Sequence, residues 1–125
     1  MSNSPSETVV VLGASDQPDR YSNKAVKMLL EHGHRVIPIH PALKTVEGIA
    51  VVPNLPSVSE NVNTLTLYLG PDRLEKLISE IVQLAPKRVI FNPGTESPVV
   101  QQALDQAGIP WQEACTLVLL RTGQY

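Results

Sequence analysis

Four short stretches carry the groups that could hold an anionic ligand. The first, Gly13-Ala14-Ser15, ends the apolar run Val9–Leu12 and opens a polar loop containing Arg20, Tyr21 and Ser22. Glycine lets a backbone turn sharply and approach a phosphate closely. An arginine can pair with that phosphate through two N–H groups. A helix following the loop would add free N–H groups and the positive end of its dipole. The second stretch is His40-Pro41 with Lys44 just beyond, the third Leu69-Gly70-Pro71 running on to Arg73, and the fourth Asn92-Pro93-Gly94-Thr95 running on to Glu96. Their Gly, Ser, Thr, Asn and few cations suit hydrogen bonding along a phosphate chain.

The first loop departs from the dinucleotide fingerprint. Ser15 stands where the second glycine of G-x-G would be, and no third glycine follows at the expected spacing. NAD sites also place an acid at the end of the second strand for the ribose 2′-hydroxyl. Here that position reads His40-Pro41, with Lys44 beyond. The pattern argues against NAD and is compatible with NADP, or with coenzyme A and its 3′-phosphate. Plainer roles compete at each position. Arg20 and Lys44 can be solvated loop cations, Ser15 a turn cap, His40 a strand-end hydrogen-bonding group, and Asn92–Glu96 an ordinary turn. Glu96 has no nucleophile or second acid beside it and reads as charge compensation at a helix N-terminus. No catalytic residues are expected. His32 and His34 flank a helix-ending glycine and read as surface or capping residues; the three histidines lack metal-ligand spacing, so no metal is expected.

These loops need elements to hold them. Thr8–Leu12 reads as a first strand buried on both faces. A helix begins near Ser22 or Asn23, presents Ala25, Val26, Leu29 and Leu30 to the core, and ends at Gly33. His34–His40 is a second strand in which Pro38 requires an edge or irregular position. Gly48–Val52 is a short segment, and Asn54–Ser59 a single helical turn. Val62–Leu69 reads as a central strand and Pro71–Leu84 as one continuous helix with Pro71 at its first position. Arg88–Asn92 is a strand, Ser97 caps a helix that ends before Gly108, and Ile109–Trp111 is the next strand. Ala114–Leu120 is helix or strand by its pattern. Strands and helices alternating at this spacing predict an α/β fold: a single Rossmann-like, doubly wound, mostly parallel sheet with helices on both faces. Residues 1–7 read as a flexible tail and 8–125 as the domain.

Composition narrows the function classes. The chain has 125 residues, a formal net charge of -2, one cysteine and very few aromatic residues. That balance argues against nucleic-acid and anionic-membrane partners. A single cysteine suits a reducing, cytoplasmic setting. Nothing at the start resembles a signal peptide, and no apolar run is long enough for a membrane helix.

The stretch Gly13-Ala-Ser-Asp-Gln-Pro-Asp-Arg-Tyr-Ser-Asn, the Ile39-His-Pro of the second strand, Asn92-Pro-Gly-Thr-Glu and the closing Ala114-Cys-Thr-Leu-Val-Leu-Leu resemble the stand-alone bacterial CoA-binding domain family. That family is Rossmann-like and similar to the N-terminal domain of the succinyl-CoA ligase α subunit. The resemblance runs from Thr8 to the end. It implies that Gly13, Ala14 and Ser15 line the CoA phosphates and that Arg20, Tyr21 and Ser22 complete that loop. His40, Pro41 and Lys44 would flank the adenosine end and its 3′-phosphate, and Leu69, Gly70 and Pro71 would border the cofactor further along. Asn92, Pro93, Gly94 and Thr95 would face the pantetheine end. The chain has no room for the ligase domain that carries the phosphorylated histidine, so ligase activity is not expected. Cys115 reads as a buried small hydrophobe, with a mixed disulfide to the CoA thiol as the sharper alternative. The apolar C-terminal part, with Trp111, is core or a homodimer contact. The function expected is binding of CoA or an acyl-CoA without catalysis. The alternatives are an NADP-dependent oxidoreductase, for which only Tyr21 and Tyr68 lie near the cleft, and an interaction module with a decayed nucleotide site.

Overall fold

The computed structural model describes residues 6–125. Its elements in chain order are β1 (Thr8–Leu12), α1 (Tyr21–Glu31), β2 (Arg35–Ile39), β3 (Thr45–Val46), β4 (Ile49–Ala50), β5 (Thr64–Leu67), α2 (Pro71–Glu75), α3 (Ile78–Leu84), β6 (Arg88–Phe91), α4 (Pro98–Gln106), β7 (Trp111–Glu113) and α5 (Thr116–Arg121). A single 3-10 turn at Leu55–Ser57 precedes β5, capped by the Asn54 side chain.

Alternation along β1 sets the layers. Val10 and Leu12 point into one apolar cluster with Leu65, Leu67, Val89 and Phe91, closed by Leu74 of α2, Ile81 of α3 and Leu104 of α4. Val9 and Val11 point into the other, with Val26 and Leu29 of α1 and Leu120 of α5. Each such side chain, fully buried, contributes roughly 1.5–3 kcal/mol. The five-stranded sheet has the order β2-β1-β5-β6-β7, and every neighbouring pair is parallel. The fold is therefore the expected α/β Rossmann-like sheet with helices on both faces. From β1 the chain moves outward to β2 and then crosses back to β5. The strand order reverses between β1 and β5, and that is where an open parallel sheet has its crevice.

Pro38 lies on the edge strand β2, as its missing N–H requires. Its carbonyl accepts from Val52 N–H at 2.9 Å, so the segment after β4 covers part of that edge.

Several expectations need correction. Pro71–Leu84 is two helices. The N–H groups of Lys76 and Leu77 close on the carbonyls of Arg73 and Leu74, at 3.2 and 2.9 Å, three residues back instead of four. Leu77 then takes φ −109° and ψ 8° before α3 begins. Tightening by a fraction of a turn keeps Leu74, Leu77, Ile78 and Ile81 on the core side, so the apolar period is the same for one helix or two. Helix α1 starts one or two residues earlier than Ser22 or Asn23, with Arg20 as its N-cap. The last strand starts at Trp111, two residues later than expected. Ile109 N–H closes on Leu104 of α4, and the Pro110 carbonyl takes Val89 N–H before the ladder begins. Ala114–Leu120 gives the helix α5, which buries Thr116, Leu117 and Leu120.

His34 is buried and not a surface residue. Its Nδ1 accepts from Glu7 N–H at 3.1 Å, and its ring stands 5.2 Å from that of Tyr125. Burial holds its pKa below the ordinary histidine value, against a smaller opposing pull from Glu7. The tail expected over residues 1–7 lies mostly outside the described residues. Of its two described members, Ser6 donates its hydroxyl to the Gly33 carbonyl at 2.8 Å, and Glu7 accepts from the Thr64 hydroxyl.

Candidate ligand-binding cleft

A cleft of about 1000 Å³ opens at the carboxyl ends of β1 and β5. Its floor is the turn after β1. Gly13 takes φ +90°, and a Cβ there would stand 2.9 Å from both the Tyr68 carbonyl oxygen and Leu69 Cδ2. A close approach that demands glycine is thus already present between the ends of β1 and β5 themselves, and Gly13 also lines the cleft. Ala14 N–H donates to the Ile39 carbonyl at 3.1 Å, which ties this turn to β2. Ser15 Oγ accepts from Gln17 N–H, and the Ser15 carbonyl accepts from the buried Asn23 amide at 2.9 Å. The same amide reaches Glu47 in the β3–β4 turn, at 3.1 Å.

Arg20 ends the loop, and its Nε donates to Gln17 Oε1 at 3.3 Å. As N-cap of α1 it has no side-chain acceptor to offer, and the first turn carries no acid. Lys24 is the first residue to donate within the helix, to the Arg20 carbonyl. The N–H groups of Tyr21, Ser22 and Asn23 consequently have no acceptor among the described residues. Tyr21 and Ser22 line the cleft together with Arg20. This is the bare terminus of an 11-residue helix, the kind of site that draws an anion.

On the β2 side, His40 and Pro41 line the cleft. His40 Nδ1 accepts from the N–H groups of Ala42 and Leu43, each at 3.0 Å, which puts the imidazole proton on Nε2. Across the β5 end, Leu69 and Gly70 line it, and beyond them Pro93, Gly94 and Thr95 of the loop after β6. Thr95 donates its hydroxyl to the Asn92 carbonyl at 2.8 Å, and Glu96 accepts from Gly94 N–H at 3.0 Å, closing this turn instead of compensating a helix end.

Three expected residues do not line the cleft. Lys44 is exposed at the root of the β3–β4 hairpin, where its carbonyl accepts from Val51 N–H. Pro71 starts α2 behind Gly70. Asn92 turns inward: its amide donates to Thr66 Oγ1 at 2.7 Å and the Leu67 carbonyl at 2.9 Å, and its Oδ1 accepts from Thr116 N–H at 2.9 Å. It is a buried strut joining β5, β6 and α5. Cys115, half-buried at the N-cap of α5, also lies outside the lining residues.

Sequence reasoning missed other lining residues, among them Asn54, Leu77 and Glu80, whereas Tyr68 and Arg73, expected on the cleft side, do line it. Arg73, Leu77 and Glu80 recur at i, i+4 and i+7, the spacing of one face of the single helix the sequence suggests, although the break at Leu77 divides them between α2 and α3. That spacing was the available signal, hidden by the stronger apolar stripe beside it. Tyr68 is mostly buried, and burial raises its hydroxyl pKa well above the ordinary tyrosine value. Among the described residues no three His, Cys, Asp or Glu side chains converge to hold a metal, and no helix is long and apolar enough to cross a membrane.

A parallel sheet with its strand reversal at β1/β5, and a bare helix terminus facing the crevice, defines a Rossmann-like α/β domain. More specifically, residues 7–121 match the CoA binding domain, and the chain belongs to that family. A crystal structure of an uncharacterized protein is similar along the whole length, with TM-score 0.91 and 36% identity over 98% of this chain and 100% of that one. The apo acetyl-coenzyme A synthetase 1 of Ca. Korarchaeum cryptofilum shares the fold, with TM-score 0.73 and 18% identity over 84% of this chain and 25% of the synthetase. The Bacillus subtilis (strain 168) protein YneT is 24% identical over 78 residues, which span 62% of this chain and 58% of YneT.

Proposed function

We propose that the cleft binds coenzyme A, free or acylated, and that the chain performs no bond-making chemistry of its own. The observation that carries this reading is the unengaged first turn of α1, with Arg20 beside it, facing the crevice at the switch point. A diphosphate there receives two or three N–H donors, the helix dipole and a guanidinium. Family membership supports CoA as the source of that diphosphate. The adenosine end lies toward His40, Pro41 and Asn54, Leu69 and Gly70 border the ligand further along, and the pantetheine end faces Pro93, Gly94 and Thr95. In that last loop the Thr95 hydroxyl is already donated to a main-chain carbonyl, which suits contact with a ligand better than attack on one.

Thermal unfolding with CoA, acetyl-CoA, NAD and NADP tests the reading. A ligand at 100 times its dissociation constant stabilises a fold by about 2.7 kcal/mol. For a domain of this size that raises the midpoint by several degrees. CoA and acetyl-CoA are expected to do so, and NAD is not. A shift with NADP alone would favour the oxidoreductase, and no shift with any of them an interaction module.

A further inference from the structure

We infer that Arg73 holds the 3′-phosphate of the bound CoA and sets a preference for CoA over its 3′-dephospho form; this rests on the proposal that the cleft takes CoA. CoA carries two separated anionic centres, the diphosphate and the ribose 3′-phosphomonoester, and therefore requires two cationic positions. Two arginines are among the residues that line the cleft, Arg20 and Arg73. They come from helices on opposite faces of the sheet, α1 and α2, whose buried residues belong to different core clusters. Arg20 stands beside the open N–H groups of α1, with its Nε on Gln17. Arg73 has no ion-pair partner among the described residues. Its planar fork is free to take a phosphomonoester through two hydrogen bonds. Lys44, the cation that the family resemblance implies for this group, is outside the lining residues. Glu80 of α3 also lines the cleft and disfavours a phosphate at its own position.

Calorimetric titration of the full chain at low ionic strength, with CoA and with 3′-dephospho-CoA, tests the assignment. The wild type binds CoA more tightly. Arg73→Gln lowers CoA affinity about fivefold or more and leaves 3′-dephospho-CoA within about twofold, because only the charge-assisted contact is removed. Lys44→Gln keeps the preference. CoA binding with an unaltered preference in Arg73→Gln, or a preference lost in Lys44→Gln, overturns the assignment alone. If the wild type binds neither ligand, the CoA reading falls and the assignment with it.

Discussion

Gly13→Ala measures how tightly the floor of the cleft is built. The left-handed backbone at φ +90° costs a residue with a Cβ roughly 1–2 kcal/mol. The new Cβ would also stand 2.9 Å from the Tyr68 main-chain oxygen. A carbonyl on a central strand end cannot rotate away as a side chain can, so overpacking adds roughly 1–3 kcal/mol. The sum, about 2–5 kcal/mol, is a large part of the roughly 5–15 kcal/mol typical of a whole domain. At about 4 °C per kcal/mol for a domain of this size, the midpoint falls by roughly 8–20 °C. Gly94→Ala is the internal control. Gly94 has nearly the same backbone angle, φ +92°, but a Cβ there would meet nothing within 4 Å. It carries the strain without the clash, and its midpoint falls by only about 4–8 °C. Both are read by circular dichroism on ligand-free protein. Equal losses in the two variants would refute the idea that β1 and β5 meet too closely for a side chain.

Asn92→Ala removes three buried hydrogen bonds and leaves the Leu67 carbonyl and Thr116 N–H without their partner. It should lower stability by about 2–4 kcal/mol, seen as a reduced urea midpoint at unchanged slope; a loss under about 1 kcal/mol would contradict the role as a strut. His34 is held neutral by burial, so its folded-state pKa lies below its unfolded one. The unfolded chain then takes up the proton first, and stability present above the unfolded pKa is lost as pH falls through the folded one. The fall in midpoint between neutral and mildly acidic buffer should shrink in His34→Gln, and an unchanged fall would remove His34 from the explanation.

The sequence made the fold legible where one physical rule dominates. The apolar run Val9–Leu12 had to be a strand buried on both faces, and the missing N–H of Pro38 had to lie on an edge. Ser97 followed by Pro98 had to begin a helix, and Ser97 Oγ does accept from Val100 N–H at 3.2 Å. The loops that gather at one crevice were legible for the same reason, since each follows a strand of a parallel sheet. What stayed hidden depends on side-chain direction or on distant partners. Asn92 sits in a loop-like motif, yet its amide is drawn inward by Thr66 and Thr116, the latter 24 residues away. Lys44 follows the second strand, but the hairpin of β3 and β4 carries it away from the crevice. Glu80 lies beside the apolar stripe of its helix, and only the fold turns it toward the cleft.

On the proposed reading, a CoA diphosphate sits on the open first turn of α1. Nuclear magnetic resonance of the 15N-labelled chain during titration with CoA tests it most directly, because each backbone N–H reports separately. The largest shifts are expected at Tyr21, Ser22 and Asn23, with smaller ones at Ser15 and Gly94. Binding that leaves those three N–H signals in place would contradict it.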